Sequence, residues 1–306
     1  MQFWVGITDS DWFEYLAARR PDEVNFWQPG ATAPRRMEAG WPFLFKLHSP
    51  RNFVVGGGIF VRFSQLPCFL AWEAFGEKNG AMSLKELVDR VGRYRGGRQT
   101  PGSIIGCNVL NSHFFLPERE WIPIPDNWPA NVQRGLTYDT ENEYGRALWE
   151  EVTARLERAE PLVAEPREEI ETQRFGAPYL AHARLGQGAF RVLVTDAYHR
   201  RCAVTGEKTL PALEAAHIQA YSAFGPNRVD NGLLLRADIH RLFDDGYATI
   251  ERDLRFVVSR RVREEFENGR EYYQFHGRPL SNLPDTPNER PSEAFLDWHN
   301  SQFLGE

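Results

Sequence analysis

Leu213-Glu214-Ala215-Ala216-His217-Ile218, then Asn231-Gly232-Leu233-Leu234-Leu235, then Arg236-Ala237-Asp238-Ile239-His240-Arg241-Leu242-Phe243-Asp244-Asp245-Gly246, is the stretch on which the reading of this chain turns. His217, Asn231 and His240 fall 14 and then 9 residues apart, and His240 and Asp244 are spaced i, i+4. On a helix that spacing puts both side chains on one face, one turn apart, where an imidazole and a carboxylate can hold one divalent ion. Leu213 and Ile218 bracket His217 in what reads as a strand end, and Asn231-Gly232 reads as a turn into the apolar run 233–235. Just upstream, Tyr198-His199-Arg200-Arg201-Cys202-Ala203-Val204-Thr205-Gly206 places Cys202 in a packed turn rather than a zinc site, since no CxxC partner exists.

The spaced pattern, RLGQGAFR, YHRRCAVTG, LEAAHI and NGLLLRADIHRLFDDGYATI in that order between Arg184 and Ile250, resembles the HNH endonuclease family. That resemblance implies a ββα-metal fold of two short strands and a helix around one ion, and phosphodiester hydrolysis in DNA. It assigns His217 as general base, Asn231 as the residue that orients the segment bearing His217, and His240 with Asp244 as metal ligands for Mg²⁺ or Mn²⁺. The chemistry supports these residue types. Water attacking a phosphodiester loses a proton near neutral pH, which a neutral imidazole accepts, and a divalent cation stabilises charge on the phosphoryl and leaving oxygens. An Asn amide can bridge two backbone groups of a loop.

Many relatives carry a carboxylate or histidine immediately before the general base, whereas Ala216 stands here. Strand alternation projects Glu214 to the side of Ala216, within reach of the ion directly or through water. Asp238 is a rival carboxylate, and two protein ligands completed by water is a third arrangement. Arg184 and Arg191, on a helical segment leading into the motif, are either phosphate contacts or solvated charges.

Residues 1–140 read as short strands broken by Gly and Pro, with a helix capped at Asp9/Ser10 and another capped at Ser83. Separate strands are expected at 52–55 and 59–63 around Gly56-Gly57-Gly58, which reads as a bulge or a close backbone approach, and again at 104–110 and 114–116. The order of elements resembles PUA-like domains of the EVE, YTH and SRA type. Such domains hold a flipped, modified base in an aromatic pocket and occur fused to HNH domains in modification-dependent restriction enzymes. Seven tryptophans in the first 130 residues support an aromatic pocket. Asn25, Phe26 and Trp27 beside Pro29, together with Trp72, are the candidate pocket residues. Lys85, Arg90, Arg93, Arg95 and Arg98 read either as a phosphate grip or as a solvated helix end.

The 306 residues carry a net charge of −6, which excludes a generally polycationic nucleic-acid coat. Residues 141–174 alone carry ten acidic and five basic side chains, whereas 181–270 carry fourteen basic against twelve acidic, so the polyanion site belongs in the second half. Three scattered cysteines point to a reducing, cytoplasmic setting, and neither an export signal nor a membrane span is expected. The expectation is an α+β protein. A PUA-like mixed sheet or barrel occupies 1–140, a helix and acidic linker 141–180, and an HNH nuclease with a C-terminal tail 181–306. The expected function is a modification-dependent DNA endonuclease acting on double-stranded DNA, with a homodimer suggested because double-strand scission needs two active sites. The alternatives are an HNH nuclease directed to RNA or an unmodified sequence, and a catalytically idle nucleic-acid-binding protein.

Overall fold

The computed structural model describes residues 1–34, 37–159 and 185–305. The chain divides into two compact units, Met1–Ala183 and Arg184–Glu306, each with its own cores, and the α+β class holds. In the first unit β1 (Gln2–Thr8) leads into α1 (Ser10–Arg19), followed by β2 (Asn25–Gln28), β3 (Pro42–Leu47) and β4 (Phe53–Pro67). Then come α2 (Cys68–Phe75), α3 (Leu84–Arg95), β5 (Ile104–Phe115), β6 (Ile122–Pro123), β7 (Gly135–Asp139) and α4 (Glu143–Ala159).

One sheet runs β2-β5-β4-β3-β1-β7, with β6 paired to β4. β1 and β3 are parallel and the other pairs antiparallel. Among the described residues no pairing joins β2 to β7, so the sheet stays open. The strands expected separately around Gly56-Gly58 are one strand of 15 residues, and those expected at 104–110 and 114–116 are likewise one strand of 12. The turn residues are absorbed because a register shift between Gly57 and Ile59 accommodates the extra residue as a bulge without breaking the ladder.

Sequence chemistry sets the helix starts. The Asp9 carboxylate accepts the Trp12 N–H at 2.6 Å and the Ser83 hydroxyl accepts the Glu86 N–H at 3.2 Å, each satisfying a donor that the first helical turn leaves open. α1 then buries Trp12, Phe13 and Leu16. Trp12 meets Phe26 and Phe45 edge-on at 5.3 Å, and Phe26 meets Phe43 at 4.7 Å, so aromatic packing joins α1 to β2 and β3. α4 lies in the segment read as a helix and acidic linker, and it packs Leu148 and Val152 with Phe3 and Tyr138 in a core of the first unit. The rest of the linker, 160–180, lies outside the described residues.

The second unit begins with α5 (Gln187–Ala197), followed by the hairpin of β8 (Leu213–His217) and β9 (Gly232–Arg236), and α6 (Ala237–Asp244). A three-stranded sheet of β10 (Ala248–Ile250), β11 (Arg255–Val258) and β12 (Arg278–Pro279) follows, with α7 (Arg261–Phe266) and α8 (Arg270–Tyr273) between the last two strands and α9 (Glu293–Asn300) closing the unit. Leu213 and Ala216 of β8, Leu233, Leu234 and Leu235 of β9, and Ile239 and Phe243 of α6 are buried in one core, which fixes hairpin and helix to each other. His217 pairs with Gly232 across the hairpin, where a Cβ would lie 2.4 Å from Val194 Cγ2. Glycine there lets α5 come close to β9, opposite the histidine. Cys202 sits in the packed turn expected of it, its sulfur accepting the N–H groups of Thr205 and Arg236 at 3.4 Å.

Candidate active site and aromatic pocket

β8 ends on His217, and α5 supports its ring from below: Phe190 stacks on the imidazole with centroids 3.9 Å apart and planes 13° from parallel. The ring's Nε2 lies 2.8 Å from Asn227 Oδ1, while Asn227 Nδ2 donates to the Leu185 carbonyl at 2.7 Å. That second bond fixes the Asn227 amide, because a flipped amide would face two carbonyl oxygens toward each other. Nε2 therefore carries the proton and donates, leaving the lone pair on Nδ1. Burial pushes the His217 pKa below its ordinary value, outweighing the bond to Asn227 that raises it, so the ring is neutral around pH 7.

Asn231 is completely buried at the other end of the loop. Its Oδ1 accepts the Gln219 N–H at 2.8 Å, and its Nδ2 donates to the carbonyls of Gln219 at 3.1 Å and Pro226 at 3.0 Å. Three bonds from one amide thus staple the segment that follows His217.

α6 brings His240 and Asp244 onto one face, with His240 Nε2 3.2 Å from Asp244 Oδ2. On the opposite ring edge, Nδ1 is 2.7 Å from Glu214 Oε2 on β8. Glu214 and Asp244 therefore approach different nitrogens of the same imidazole. If Nδ1–H donates to Glu214, Nε2 turns a lone pair toward Asp244, a conflict that only a proton or a metal ion reconciles. Asp244 has its carboxyl pKa raised, first by burial and then by the charges of Asp245 and Glu214, against the opposing pull of His240. The spacing fits a small divalent cation held by one imidazole nitrogen and one carboxylate oxygen, since 3.2 Å is close to the ~3 Å edge between neighbouring ligands at ~2.1 Å. Among the described residues no group of three His, Cys, Asp or Glu side chains forms a ready metal cage. Asp238 is held by Arg236 through two bonds of 2.7 Å, and that guanidinium holds its carboxyl below the usual range. Arg191 lies half-buried on α5, and Arg184 lies outside the described residues.

In the first unit a cavity of about 480 Å³ is lined by Trp4, Phe26, Trp27, His48 and Tyr94, with Asp9, Gln28, Arg95 and Arg134 among its polar residues. Trp27 donates its indole N–H to the Asn79 carbonyl at 2.9 Å and meets the Tyr94 ring edge-on at 6.2 Å. His48 stacks on Tyr94 at 6.4 Å. The Tyr94 hydroxyl donates to Asp9 at 2.8 Å, and burial together with that carboxylate pushes the phenol pKa well up. Burial likewise lowers His48, which is neutral at pH 7. Asn25 stands behind the wall, its amide donating to Asn79 Oδ1 at 2.8 Å. Trp72 lies on α2 and does not line the cavity.

The basic run on α3 is mostly internal in its use: Arg90 is 5% exposed and bound to Glu86, Lys85 pairs with Asp89, and Arg95 donates to backbone carbonyls of Pro29 and Ile104. Sequence reasoning missed Asn227, Trp4, His48, Tyr94 and Asp9 as site residues. Asn227 sits in a Pro-Asn turn with no motif of its own, and the four pocket residues converge from β1, the β3–β4 turn, α3 and the cap of α1.

Against known proteins, the HNH endonuclease family model matches residues 202–251. That match supports nuclease activity for the second unit. No curated protein matches the chain. Among solved structures, an ASCH protein from Zymomonas mobilis is 11% identical and aligns over 49% of this chain and 93% of its own, with a TM-score of 0.35. The modification-dependent TagI restriction endonuclease is 14% identical over 93% of this chain and 76% of its own, with a TM-score of 0.28. Among the described residues no helix is long and apolar enough to cross a membrane.

Proposed function

We propose that this protein is a divalent-metal-dependent endonuclease that hydrolyses phosphodiester bonds in double-stranded DNA, directed by a modified base held in the aromatic cavity of its first unit. The observation that carries the nuclease reading is His217, a neutral imidazole with its proton pinned on Nε2 by Asn227, beside the His240–Asp244 pair in the stretch matched by the HNH endonuclease model.

Nδ1 of His217 takes the proton of the attacking water. Phe190 and Asn227 hold the ring in plane and in one tautomer, so the acceptor is in place before substrate arrives. Asn231 holds the backbone beyond His217. His240 and Asp244 would hold Mg²⁺ or Mn²⁺, and Glu214 orients His240 by accepting from its Nδ1–H. When bound, such an ion supplies Lewis acidity toward the phosphoryl and leaving oxygens.

Trp4, Trp27 and Tyr94 offer aromatic faces to an extruded base, and Gln28, Gln133 and Arg134 offer polar edges. Double-strand scission then calls for two chains acting together. The test is cleavage of modified and unmodified duplexes in Mg²⁺ or Mn²⁺ by the wild type and by His217→Ala. Cleavage that survives the substitution removes the proposed general base, and equal cutting of both duplexes removes base sensing.

A further inference from the structure

The loop between His217 and Asn231 ends in two aromatics that the fold does not use. Tyr221 is 58% exposed and Phe224 is 96% exposed. Phe224 also sits at φ 61°, ψ 22°, a left-handed conformation that costs any residue with a side chain. Burial cannot account for that cost, since almost nothing of the ring is covered.

Yet the tip is firmly built. Ala223 N–H and Gly225 N–H both donate to the Ala220 carbonyl, at 2.9 and 3.0 Å, Phe224 N–H donates to the Tyr221 carbonyl at 3.1 Å, and Gln219 Nε2 donates to the Ala223 carbonyl at 3.0 Å. A Cβ at Gly225 would come within 1.8 Å of the Gln219 carbonyl oxygen, so the chain closes more tightly there than any other residue permits. The Asn231 amide grips both feet of the same loop, at Gln219 and Pro226. Tyr221 stands beside the general base, its ring centroid 6.2 Å from that of His217. From Ile218 to Val229 the chain has no carboxylate and one cation, Arg228, which is paired with Asp230, so the tip itself presents no negative charge to a polyanion.

We propose that Phe224, backed by Tyr221, is a wedge that enters the base stack of the DNA duplex next to the phosphodiester presented to His217. The proposal rests on the nuclease reading. An aromatic face stacks on any base, and wedging a step apart bends the backbone at a chosen place. A second copy of the chain is the poorer occupant. Two side chains on a narrow tip fall far short of the roughly 800 Å² per partner that a stable protein interface covers.

The test uses the full chain in EDTA with duplexes that each carry a single 2-aminopurine, tiled along the sequence. Wild type and Phe224→Trp raise the fluorescence at one step, whereas Phe224→Ala does not. In Mg²⁺, Phe224→Ala raises KM by about tenfold or more, as the loss of one base stack requires. Phe224→Gly loses the same signal while its Tm rises by about 1–3 °C, because glycine relieves the left-handed strain. Equal fluorescence in Phe224→Ala and wild type, no rising position in the wild type, or a dimer that dissociates on this substitution overturns the wedge. Unstacking that needs Phe224, together with cleavage that survives His217→Ala, leaves the wedge standing and removes His217 as the general base. Cleavage that needs His217 with unstacking indifferent to Phe224 does the reverse.

Discussion

Replacing Asn227 by aspartate probes the electrostatics of His217, the proposed general base, at constant size. Asn227 Oδ1 is 2.8 Å from His217 Nε2, so a carboxylate in that place favours the imidazolium. Two unit charges ~4 Å apart interact by about 4 kcal/mol at an effective dielectric of ~20. His217 is only part-buried, and the new carboxylate loses the bond to Leu185 and faces that carbonyl at the present 2.7 Å contact. Discounting to a third for solvent screening and this penalty leaves about 1.4 kcal/mol, or about one pH unit. The sign follows directly: a base works only above its pKa, and the wild-type ring is held below the ordinary histidine value by burial. Raising it moves the acid limb of the rate upward. Single-turnover cleavage at constant metal concentration, followed across pH, should put the Asn227→Asp limb about one unit higher, with a loss that approaches tenfold on the acid side of both limbs and disappears at alkaline pH. Asn227→Ala, which frees the tautomer but leaves Phe190 under the ring, should lose about 10–100-fold in kcat with little movement of the limb. An acid limb unmoved or lowered in Asn227→Asp, or a wild-type rate in Asn227→Ala, refutes the assignment of the proton to Nε2.

His299 is 4% exposed, stacked on Phe243 at 3.5 Å and bonded through Nε2 to the Phe243 carbonyl, and burial pushes its pKa down from 6.5 to about 4. Its unfolded form binds the extra proton, so stability is full above about pH 6.5 and falls as pH drops toward 4, by about 2–3 kcal/mol in urea melts. The slope should flatten in His299→Gln, and an unchanged slope there removes this histidine as its source. For metal binding, calorimetry with Mn²⁺ should show Asp244→Asn losing most of its affinity and Glu214→Gln losing about 10–100-fold as an orienting partner does, an order that inverts if Glu214 is the direct ligand. In the first unit, Trp4→Ala should weaken binding of modified duplex about 10–100-fold while leaving unmodified duplex unaffected. Equal losses on both duplexes would assign Trp4 to general DNA contact instead of base sensing.

Much of the second unit could be read directly from the chain. Periodicity placed Leu213–His217 on a strand and set His240 and Asp244 one helical turn apart, since these relations depend only on residues close in sequence. Asn231 was legible because the HNH resemblance singles it out and an amide can bridge two backbone groups of a loop. Asn227 was not, because its role depends on the Leu185 carbonyl, which only folding brings to it from 42 residues away. The same holds for Glu214. Strand alternation put it on the right side, but the hairpin's docking against α6 decided that it meets Nδ1 of His240 while Asp244 meets Nε2.

In the first unit the capped helices and the abundance of aromatics were visible, whereas the continuity of β4 and β5 through their turn-like residues was not, because a bulge keeps cross-strand bonding alive where local propensity argues for a break. Pocket membership was equally hidden. Trp27 lines the cavity and Trp72 does not, although both lie in similar local sequence, because the walls come from segments distant along the chain. Sequence by itself determined the residue types and local spacing of the proposed general base, loop staple and cation-binding helix face. Which atom of each side chain faces which partner was decided only by the packing of hairpin, helix and loop, since hydrogen-bond direction is a property of positions in space rather than of order along the chain.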